Sequence, residues 1–379
     1  MPDDFQIFVK PVGALCNLGC TYCYYLCNRD IYDGTGSLRM SDEILDKYIK
    51  QHIEASSDDT IFFSWHGGEP LLAGIDFYRK ALSIQQKYLP AGRRALNGIQ
   101  TNGTLLDDEW CSFLKSENFI IGISIDGPPD LHNKNRITPA GDPTSEMVLK
   151  GFELLMRYKI TSEILCVVNA DNSLHPLEVY SFFRQLGAEY ISFLPLVEKD
   201  ASKRTGVSDS SVKPEEFGRF LSVIFDGWIG NDIGKIKVQI FEEALRPAFN
   251  QEHTLCIFKV DCGGVPVIEH NGDFYACDHY VDKEYLSGNI NDVPLADLLV
   301  SPAQKAFGNA KSNTLPRYCL ECDVLEMCNG ECPKNRFTNT PDEEPGLNYL
   351  CPGYKFFFNH CKPFVEVLKE TWLNQNTST

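Results

Sequence analysis

Short β-rich runs alternate with amphipathic helical patterns from residue 5 to about residue 230. Six runs rich in β-branched and aromatic residues predict strands. Their first residues are Phe5, Thr60, Leu96, Phe119, Ser162 and Tyr190. Amphipathic stretches that begin at Ser41 and Asp107 lie between them, and each opens with a residue type that caps helices. Strands that alternate with helices predict a parallel sheet with helical crossovers.

The strand and helix repeat is compatible with two α/β folds, a partial (β/α)6 barrel and a doubly wound sheet. Residues able to carry chemistry follow the first, second and fourth predicted strands. Both folds build sites at the carboxyl ends of strands, and barrels use the loops after several different strands. We therefore predict a partial barrel over residues 1–235, in which the polar segment 197–214 is a surface loop.

The pattern changes after about residue 235. Eight of the 15 cysteines lie between Cys256 and Cys351, and regular periodicity weakens. An Asn271-Gly272 pair between two alternating runs predicts a β-hairpin. We predict a small cysteine-rich α+β domain over residues 236–369, followed by a polar tail over residues 370–379.

Composition narrows the possible functions. The chain has 35 Lys and Arg against 52 Asp and Glu, and a net charge of −17 makes nucleic acid and anionic membranes poor partners. The 15 cysteines are an odd number, so they cannot all pair in internal disulfides. The N-terminus lacks the basic and apolar regions of a signal peptide, and no apolar stretch approaches the ~18 residues of a membrane helix. We therefore predict a cytoplasmic protein whose reduced thiols serve metal or redox chemistry.

Three cysteines, Cys16, Cys20 and Cys23, follow the first predicted strand in the segment CNLGCTYC. Three thiolates can hold three irons of a 4Fe-4S cluster and leave the fourth iron without a protein ligand. A small molecule can bind that open iron. The alternative is a closed zinc site in which Cys27 supplies the fourth thiolate.

The segment CNLGCTYC resembles the signature of radical S-adenosylmethionine (AdoMet) enzymes. The segment HGGEP at residues 66–70 follows the second predicted strand and is similar to the GGEP motif of that family. In the family, AdoMet binds the open iron, and an electron from the cluster cleaves AdoMet to a 5′-deoxyadenosyl radical. The resemblance implies that AdoMet contacts Tyr22, Gly67, Gly68, Glu69, Ser124, Arg136 and Val197.

A second set of cysteines comprises Cys256, Cys262, Cys277, Cys319, Cys322, Cys328, Cys332 and Cys351. Eight thiolates fully ligate two 4Fe-4S clusters, and from the spacing alone two zinc sites fit as well. The pattern resembles the SPASM extension of peptide-modifying radical AdoMet enzymes, which carries two auxiliary 4Fe-4S clusters. The resemblance implies an inner cluster on Cys256, Cys262, Cys277 and Cys332, and an outer cluster on Cys319, Cys322, Cys328 and Cys351. Outside both sets, Cys111 and Cys166 are predicted to be buried apolar residues.

Asp278 directly follows Cys277 in the hairpin segment GDFYACDHY. Neighbouring side chains of a regular strand point to opposite faces, so Asp278 is predicted to face a cavity and not the cluster held by Cys277. A solvated carboxylate is the alternative from the pattern alone. The segments CDHYV, LSGNI, KPVGALCNLGCTYCYYL, WHGGEPLLAG, QTNGTLLDDEW and SIDGP resemble the anaerobic sulfatase-maturating enzymes. This resemblance implies that Asp278 is the proton acceptor of the reaction.

The resemblance implies an oxidoreductase that converts an active-site Cys or Ser of a sulfatase to Cα-formylglycine and releases 5′-deoxyadenosine and methionine. The implied cofactors are AdoMet and three 4Fe-4S clusters. The implied partners are a sulfatase segment with a Cys/Ser-x-Pro/Ala-x-Arg core and an electron donor such as a flavodoxin or ferredoxin. Two alternatives stay open: another SPASM enzyme that crosslinks a ribosomal peptide, and a non-enzymatic iron–sulfur or zinc protein.

Overall fold

The computed structural model describes residues 5–32, 37–203 and 205–376. In these residues the strands are β1 (Phe8–Val9), β2 (Thr60–Trp65), β3 (Arg94–Thr101), β4 (Ile120–Ser124), β5 (Ser162–Val168), β6 (Tyr190–Pro195), β7 (Lys237–Val238), β8 (Val267–Ile268), β9 (Asp273–Tyr275), β10 (Leu286–Asn289), β11 (Thr338–Asn339) and β12 (Pro345–Leu347). The α-helices are α1 (Asp42–Ala55), α2 (Ile75–Tyr88), α3 (Asp108–Ser116), α4 (Pro129–His132), α5 (Ser145–Arg157), α6 (Pro176–Gln185), α7 (Pro214–Asn231), α8 (Gln239–Leu245), α9 (Leu295–Leu299), α10 (Pro302–Asn313), α11 (Arg317–Leu320), α12 (Leu325–Cys328) and α13 (Cys351–Asn376). The six predicted strands are present as β1 to β6, which confirms the α/β class.

Two helices begin at the capping residues that the sequence predicts. The Ser41 hydroxyl accepts a hydrogen bond from the Ile44 N–H at 3.3 Å, and the Asp107 carboxylate accepts one from the Trp110 N–H at 2.8 Å. These side chains bind N–H groups that the first helical turn leaves without an intrahelical partner. The predicted starts of α1 and α3 are therefore confirmed.

One compact unit contains the described residues of 1–125, 132–162 and 263–308. Its strands lie side by side in the order β10, β9, β8, β1, β2, β3, β4. The strands β8, β1, β2, β3 and β4 are parallel to one another, whereas β9 is antiparallel to both β8 and β10. The C-terminal hairpin therefore extends the same sheet as the N-terminal strand.

The last residue of β2, Trp65, anchors the segment that follows it. Its buried ring packs edge-on against Tyr48 of α1 and Tyr78 of α2, with ring centroids 6.1 Å and 5.7 Å apart. Its indole N–H donates to Asn97 Oδ1 at 2.9 Å. Because both packing and a hydrogen bond hold Trp65, residues 66–70 start from a rigid point in the core.

The other compact unit contains the described residues of 126–131, 163–262 and 309–379. In it, β5, β6 and β7 pair in parallel, and β11 and β12 form a short antiparallel pair. The long helices α7 and α13 approach closely, since a Cβ on Gly218 would lie 2.6 Å from the Gly353 carbonyl oxygen. Glycine permits this approach because it has no side chain. The contact holds the start of α13, which is Cys351.

The predicted polar tail, residues 370–379, overlaps the last helix, and its boundary stays a prediction. Helix α13 extends through Asn376, so residues 370–376 are helical, and residues 377–379 lie outside the described part of the structure. The Trp372 ring lies edge-on to the Phe249 ring with 5.8 Å between centroids. This aromatic contact stabilises the last helical turns, and a polar composition does not reveal it.

The predicted hairpin is present but shorter than expected. β8 and β9 pair in antiparallel register, and Gly272 has a φ of 90°, which suits the predicted Asn-Gly turn. The prediction of a regular strand through Asp278 is wrong, because β9 ends at Tyr275 and Asp278–Tyr280 forms a short 3-10 helix. The pairing of β9 with β8 ends at Tyr275, so the backbone beyond it is free to turn.

Two cysteines outside both predicted cluster sets, Cys111 and Cys166, are fully buried, as predicted. The side chain of Cys27 lies outside the described part of the structure. The two compact units are discontinuous along the chain, so the predicted domain boundaries at residues 235 and 369 stay predictions. Among the described residues, no helix combines the length and the apolar character needed to cross a membrane.

Candidate active site

The three-cysteine loop follows β1 and is tied to a second loop. The Gly19 N–H donates to the Ile137 carbonyl at 2.8 Å, and the Thr21 N–H donates to the Asn135 carbonyl at 2.9 Å. The Thr21 hydroxyl also donates to Asn135 Oδ1 at 2.7 Å. These bonds satisfy backbone groups of the loop and hold it in one conformation.

The three thiols of this loop interact with one another. Burial raises the pKa of Cys16 to about 12, and negative charge on Glu69, Cys20 and Cys23 acts in the same direction. Three thiols on one loop, of which Cys16 interacts with the other two, are the donor set that three irons of a 4Fe-4S cluster require. Across the described residues, no three His, Cys, Asp or Glu side chains are arranged to hold a single metal ion.

The Gly-Gly-Glu-Pro segment packs on the cysteine loop through backbone contacts. The Gly68 N–H donates to the Gly13 carbonyl at 2.8 Å, and the Glu69 N–H donates to the Leu15 carbonyl at 2.7 Å. A Cβ on Gly68 would lie 2.1 Å from the Leu15 carbonyl oxygen, a distance that excludes any side chain. Two motifs that are distant in the sequence therefore form one structural element.

Glu69 is a buried carboxylate. Its oxygens accept hydrogen bonds from the Leu71 N–H at 2.9 Å, the Thr101 hydroxyl at 2.8 Å and the Asn102 N–H at 2.8 Å. Burial raises the pKa of Glu69 to about 7, against the lowering effect of these bonds. A carboxylate in such a place is stabilised by a positively charged ligand.

Asn102 connects Glu69 to the cysteine loop. Its side-chain amide donates to Asn17 Oδ1 at 2.9 Å and contacts Cys16 Sγ at 3.8 Å, while its backbone N–H binds Glu69. Asn102 has no role predicted from the sequence, although the residue lies in the segment QTNG. Its position directly after β3 is the signal that points to it, since sites form at the carboxyl ends of parallel strands.

The remaining residues predicted to contact AdoMet lie in both compact units. Ser124 ends β4, and its hydroxyl accepts a hydrogen bond from the Gln100 amide at 3.2 Å. The Arg136 guanidinium is buried and lies 5.6 Å from the centroid of the Tyr22 ring. Val197 is buried in the second unit. The AdoMet contacts of these residues stay predictions.

Asp278 lies in a polar cluster of the first unit. Lys10 Nζ lies 2.6 Å from Asp278 Oδ1, and the Tyr24 hydroxyl donates to Oδ2. Burial alone raises the pKa of Asp278, but the charges of Lys10 and His279 and the hydrogen bonds from Lys10 and Tyr24 outweigh this effect and lower the pKa to about 2. The side chain is 12% exposed. Asp278 is therefore a shielded carboxylate that is ionised at neutral pH.

The residues around Asp278 have no role predicted from the sequence. Lys10 Nζ lies 4.3 Å from the centroid of the Tyr25 ring, and the Tyr25 hydroxyl donates to Glu269 at 2.5 Å. Burial lowers the pKa of His66 to about 3, so its ring is neutral. A lysine directly after an apolar strand is the signal for Lys10, because a buried lysine requires a partner.

The cysteines predicted to hold the outer cluster interact in the second unit. Burial raises the pKa of Cys351 to about 12, and negative charge on Cys319 and Cys322 adds to the rise. Burial also raises the pKa of Cys328, with a further contribution from Cys351. The charges of these thiols therefore act on one another, and their shared ligation of one cluster stays a prediction.

The cysteines predicted to hold the inner cluster are divided between the units. Burial raises the pKa of Cys256 to about 11, and negative charge on Cys262 adds to the rise. Cys332 is buried in the same unit, and Cys277 belongs to the other. Their shared ligation of one cluster stays a prediction.

Comparisons with known proteins agree with this chemistry. Residues 11–180 match the model of the Radical SAM superfamily, and residues 262–323 match the model of SPASM, an iron–sulfur cluster-binding domain. The chain is 43% identical to a serine-type anaerobic sulfatase-maturating enzyme of Bacteroides thetaiotaomicron, over 97% of this chain and 92% of that protein. It is 30% identical to a cysteine-type anaerobic sulfatase-maturating enzyme of Clostridium perfringens, over 94% of this chain and 96% of that protein.

The fold is also similar to that of a solved enzyme. The structure of native anSMEcpe with bound AdoMet and Cp18Cys peptide matches with a TM-score of 0.86 at 30% identity, over 97% of this chain and 99% of that chain. Sequence and structure are thus similar over nearly the whole length of each protein. The chain belongs to the anaerobic sulfatase-maturating enzymes, which are radical SAM enzymes with a SPASM domain and use AdoMet and iron–sulfur clusters.

Proposed function

We propose that this chain oxidises the Cβ of a serine or cysteine in a sulfatase polypeptide to Cα-formylglycine, with serine as the preferred target. The observation that carries the proposal is Asp278, a shielded and ionised carboxylate in the same compact unit as the three-cysteine loop and the Gly-Gly-Glu-Pro segment. The identity of 43% to the serine-type relative, against 30% to the cysteine-type relative, supports the preference for serine.

The N-terminal motifs bind the radical source. When bound, AdoMet and its cluster supply a 5′-deoxyadenosyl radical that removes a hydrogen atom from the target Cβ. Cys16, Cys20 and Cys23 would hold three irons and would leave the fourth open for AdoMet. Glu69 binds the AdoMet ammonium group, and the buried position of this carboxylate supports that role.

The remaining AdoMet contacts orient the nucleoside and the amino-acid part of the molecule. Gly67 and Gly68 bring the backbone close to the AdoMet amine. Ser124 and Arg136 contact the ribose and the carboxylate, and Tyr22 and Val197 pack on the nucleoside. The burial of Arg136, Tyr22 and Val197 supports these assignments.

Asp278 removes the proton that completes the oxidation. After hydrogen abstraction, the target carbon carries an unpaired electron next to a hydroxyl or thiol group. Transfer of the hydroxyl or thiol proton to the Asp278 carboxylate makes loss of the electron easier. Lys10 and Tyr24 hold the carboxylate in place during this transfer. One hydrogen atom, one proton and one electron thus leave the target, which becomes an aldehyde or a thioaldehyde that hydrolyses to the aldehyde.

The second cysteine set would hold clusters that can serve as electron acceptors. Cys256, Cys262, Cys277 and Cys332 would hold the inner cluster, and Cys319, Cys322, Cys328 and Cys351 would hold the outer one. Full thiolate ligation suits clusters that accept electrons and do not bind substrate. A flavodoxin or ferredoxin is the proposed electron donor for AdoMet cleavage, and the cytoplasm, where thiols stay reduced, is the proposed location.

A peptide assay tests this function. The enzyme is reconstituted anaerobically and incubated with AdoMet, a reductant and two sulfatase peptides that differ by Ser or Cys at the target. We expect an aldehyde, detected by mass spectrometry after reaction with a hydrazide, to form faster from the serine peptide. Equal or faster conversion of the cysteine peptide contradicts the serine preference. Loss of two hydrogen atoms without hydrazide reactivity indicates a crosslink, and unmodified peptides reject the function.

A further inference from the structure

Three consecutive residues between Cys328 and Cys332 have left-handed backbone conformations. Their φ angles are 46° at Asn329, 68° at Gly330 and 50° at Glu331. A left-handed conformation costs on the order of 1 kcal/mol for each residue that is not glycine. Such a run persists when the surrounding structure holds it.

Arg336 holds this left-handed loop. Its Nε donates to the Gly330 carbonyl at 2.9 Å, and its Nη2 donates to the Asn329 and Glu331 carbonyls at 3.0 Å and 3.2 Å. Its Nη1 donates to the Lys311 carbonyl at 2.5 Å. The planar guanidinium fork suits converging acceptors of this kind. One partly buried cation therefore fixes the loop that separates Cys328 from Cys332.

Lys311 holds the other cysteine segment of this unit. The side chain is fully buried. Its Nζ donates to the Cys256 carbonyl at 3.1 Å, to the Ile257 carbonyl at 2.8 Å and to the Lys259 carbonyl. An ammonium group has three donors, so all are used on the segment that leads from Cys256 to Cys262. The buried Lys311 ammonium and the partly buried Arg336 guanidinium, which also binds the Lys311 backbone carbonyl, thus order both cysteine segments.

The charges of these side chains reach the thiols. Burial raises the pKa of Cys262, the charges of Lys311 and Arg336 oppose the rise, and the charge of Glu331 adds to it. Glu331 is itself buried, and its Oε2 accepts a hydrogen bond from the Asn348 amide. Two positive charges, on Lys311 and Arg336, and two negative charges, on Glu331 and Asp261, therefore act on Cys262.

We propose that Lys311 and Arg336 are positioning residues of the auxiliary iron–sulfur site and raise its reduction potential, while Glu331 lowers it. The inference rests on the proposed function, because it requires a cluster on Cys256 and Cys262. Reduction adds one electron to a cluster that its thiolates already make negative. Nearby positive charge lowers the energy of the reduced form, and negative charge raises it. In the reaction the electron comes from the substrate radical, so the two cations favour its transfer.

Reduction potentials test this inference in the full-length enzyme. Iron content is measured after anaerobic reconstitution, and the cluster potentials are measured by a dithionite titration followed by EPR spectroscopy. Lys311→Met removes a buried positive charge, and Glu331→Gln removes a buried negative charge with little change in shape. Lys369→Met, at an exposed position of α13, is the control. We expect a shift to more negative potential of an auxiliary cluster in Lys311→Met, a shift to more positive potential in Glu331→Gln, and no shift in the control.

The outcomes separate a charge effect from loss of structure. The positioning role is supported if Lys311→Met lowers the iron content and Lys311→Arg restores it. If Glu331→Gln has full iron content and unchanged potentials, the inference is overturned, even where Lys311→Met fails to fold. The inference is also overturned if the potentials of both variants shift in the same direction. Wild-type iron well below about twelve per chain contradicts the proposed function instead, so the two failures are distinguishable.

Discussion

Lys10 Nζ lies 2.6 Å from Asp278 Oδ1, and the two side chains are 2% and 12% exposed. Lys10 directly follows β1, and Asp278 lies three residues after the end of β9. The parallel pairing of β1 with β8, and the hairpin of β8 with β9, bring these distant parts of the chain together. The ion pair therefore joins the strand that leads into the three-cysteine loop to the loop that carries the proposed proton acceptor.

Removal of Lys10 is expected to destabilise the protein. Lys10→Met leaves the shielded Asp278 carboxylate without its buried ammonium partner, and such a loss costs about 3 kcal/mol of unfolding free energy. The double variant Lys10→Met/Asp278→Asn removes both charges and should recover part of that loss. Denaturant unfolding of the cluster-free proteins measures both values. A Lys10→Met variant as stable as the wild type would contradict the ion pair.

AdoMet binding is expected to weaken as the pH falls through about 7. Burial raises the pKa of Glu69 to about 7, so the contribution of this group to the stability of the ligand-free protein is greatest below the ordinary carboxyl pKa and is lost as the pH rises to about 7. The AdoMet ammonium group requires the ionised carboxylate, so affinity changes in the opposite sense. The expected loss is about tenfold for one pH unit below 7. Calorimetry measures the affinity for AdoMet. Glu69→Gln should bind AdoMet weakly at every pH. If the affinity of Glu69→Gln falls with pH as that of the wild type does, another group causes the pH dependence.

Gly68→Ala is expected to disturb the junction between the two N-terminal motifs. Its Cβ would lie 2.1 Å from the Leu15 carbonyl oxygen, so the backbone must move, at a cost of about 1–3 kcal/mol in unfolding free energy. AdoMet affinity should fall with it. Gly227→Ala in α7 is the matched control, because its Cβ meets no described heavy atom within 4 Å and alanine favours the helix. Wild-type stability and AdoMet affinity in Gly68→Ala would refute the predicted clash.

Cys351→Ser is expected to lower the iron content by about four atoms per chain, because the outer cluster loses a ligand. AdoMet cleavage should continue, since Cys16, Cys20 and Cys23 are unchanged. Iron analysis and chromatography of 5′-deoxyadenosine measure the two effects. Full iron content in the variant would remove Cys351 from the ligand set.

Local sequence patterns predicted much of the fold. Alternating β-rich runs located β1 to β6, and the residue types of Ser41 and Asp107 located the starts of two helices. These features depend on residues that are close in sequence, which is why patterns reveal them. The hairpin turn at Gly272 was predicted for the same reason.

Long-range contacts account for what the sequence did not predict. Lys10 pairs with a residue more than 260 positions away, and Lys311 binds carbonyls more than 50 positions away. Neither contact leaves a periodic pattern in the chain. The turn at Asp278 depends on where pairing of β9 with β8 ends, and that point is set by tertiary structure.

The most direct test of the account compares the wild type with Asp278→Asn in one assay with AdoMet, a reductant and a sulfatase peptide. Asparagine keeps the size of the side chain but does not accept the proton as a carboxylate does. Equal iron content confirms that the variant is intact. The account predicts that Asp278→Asn still produces 5′-deoxyadenosine, while its formylglycine production falls by about 10²–10⁴-fold. Formylglycine production at the wild-type rate by Asp278→Asn would contradict the account.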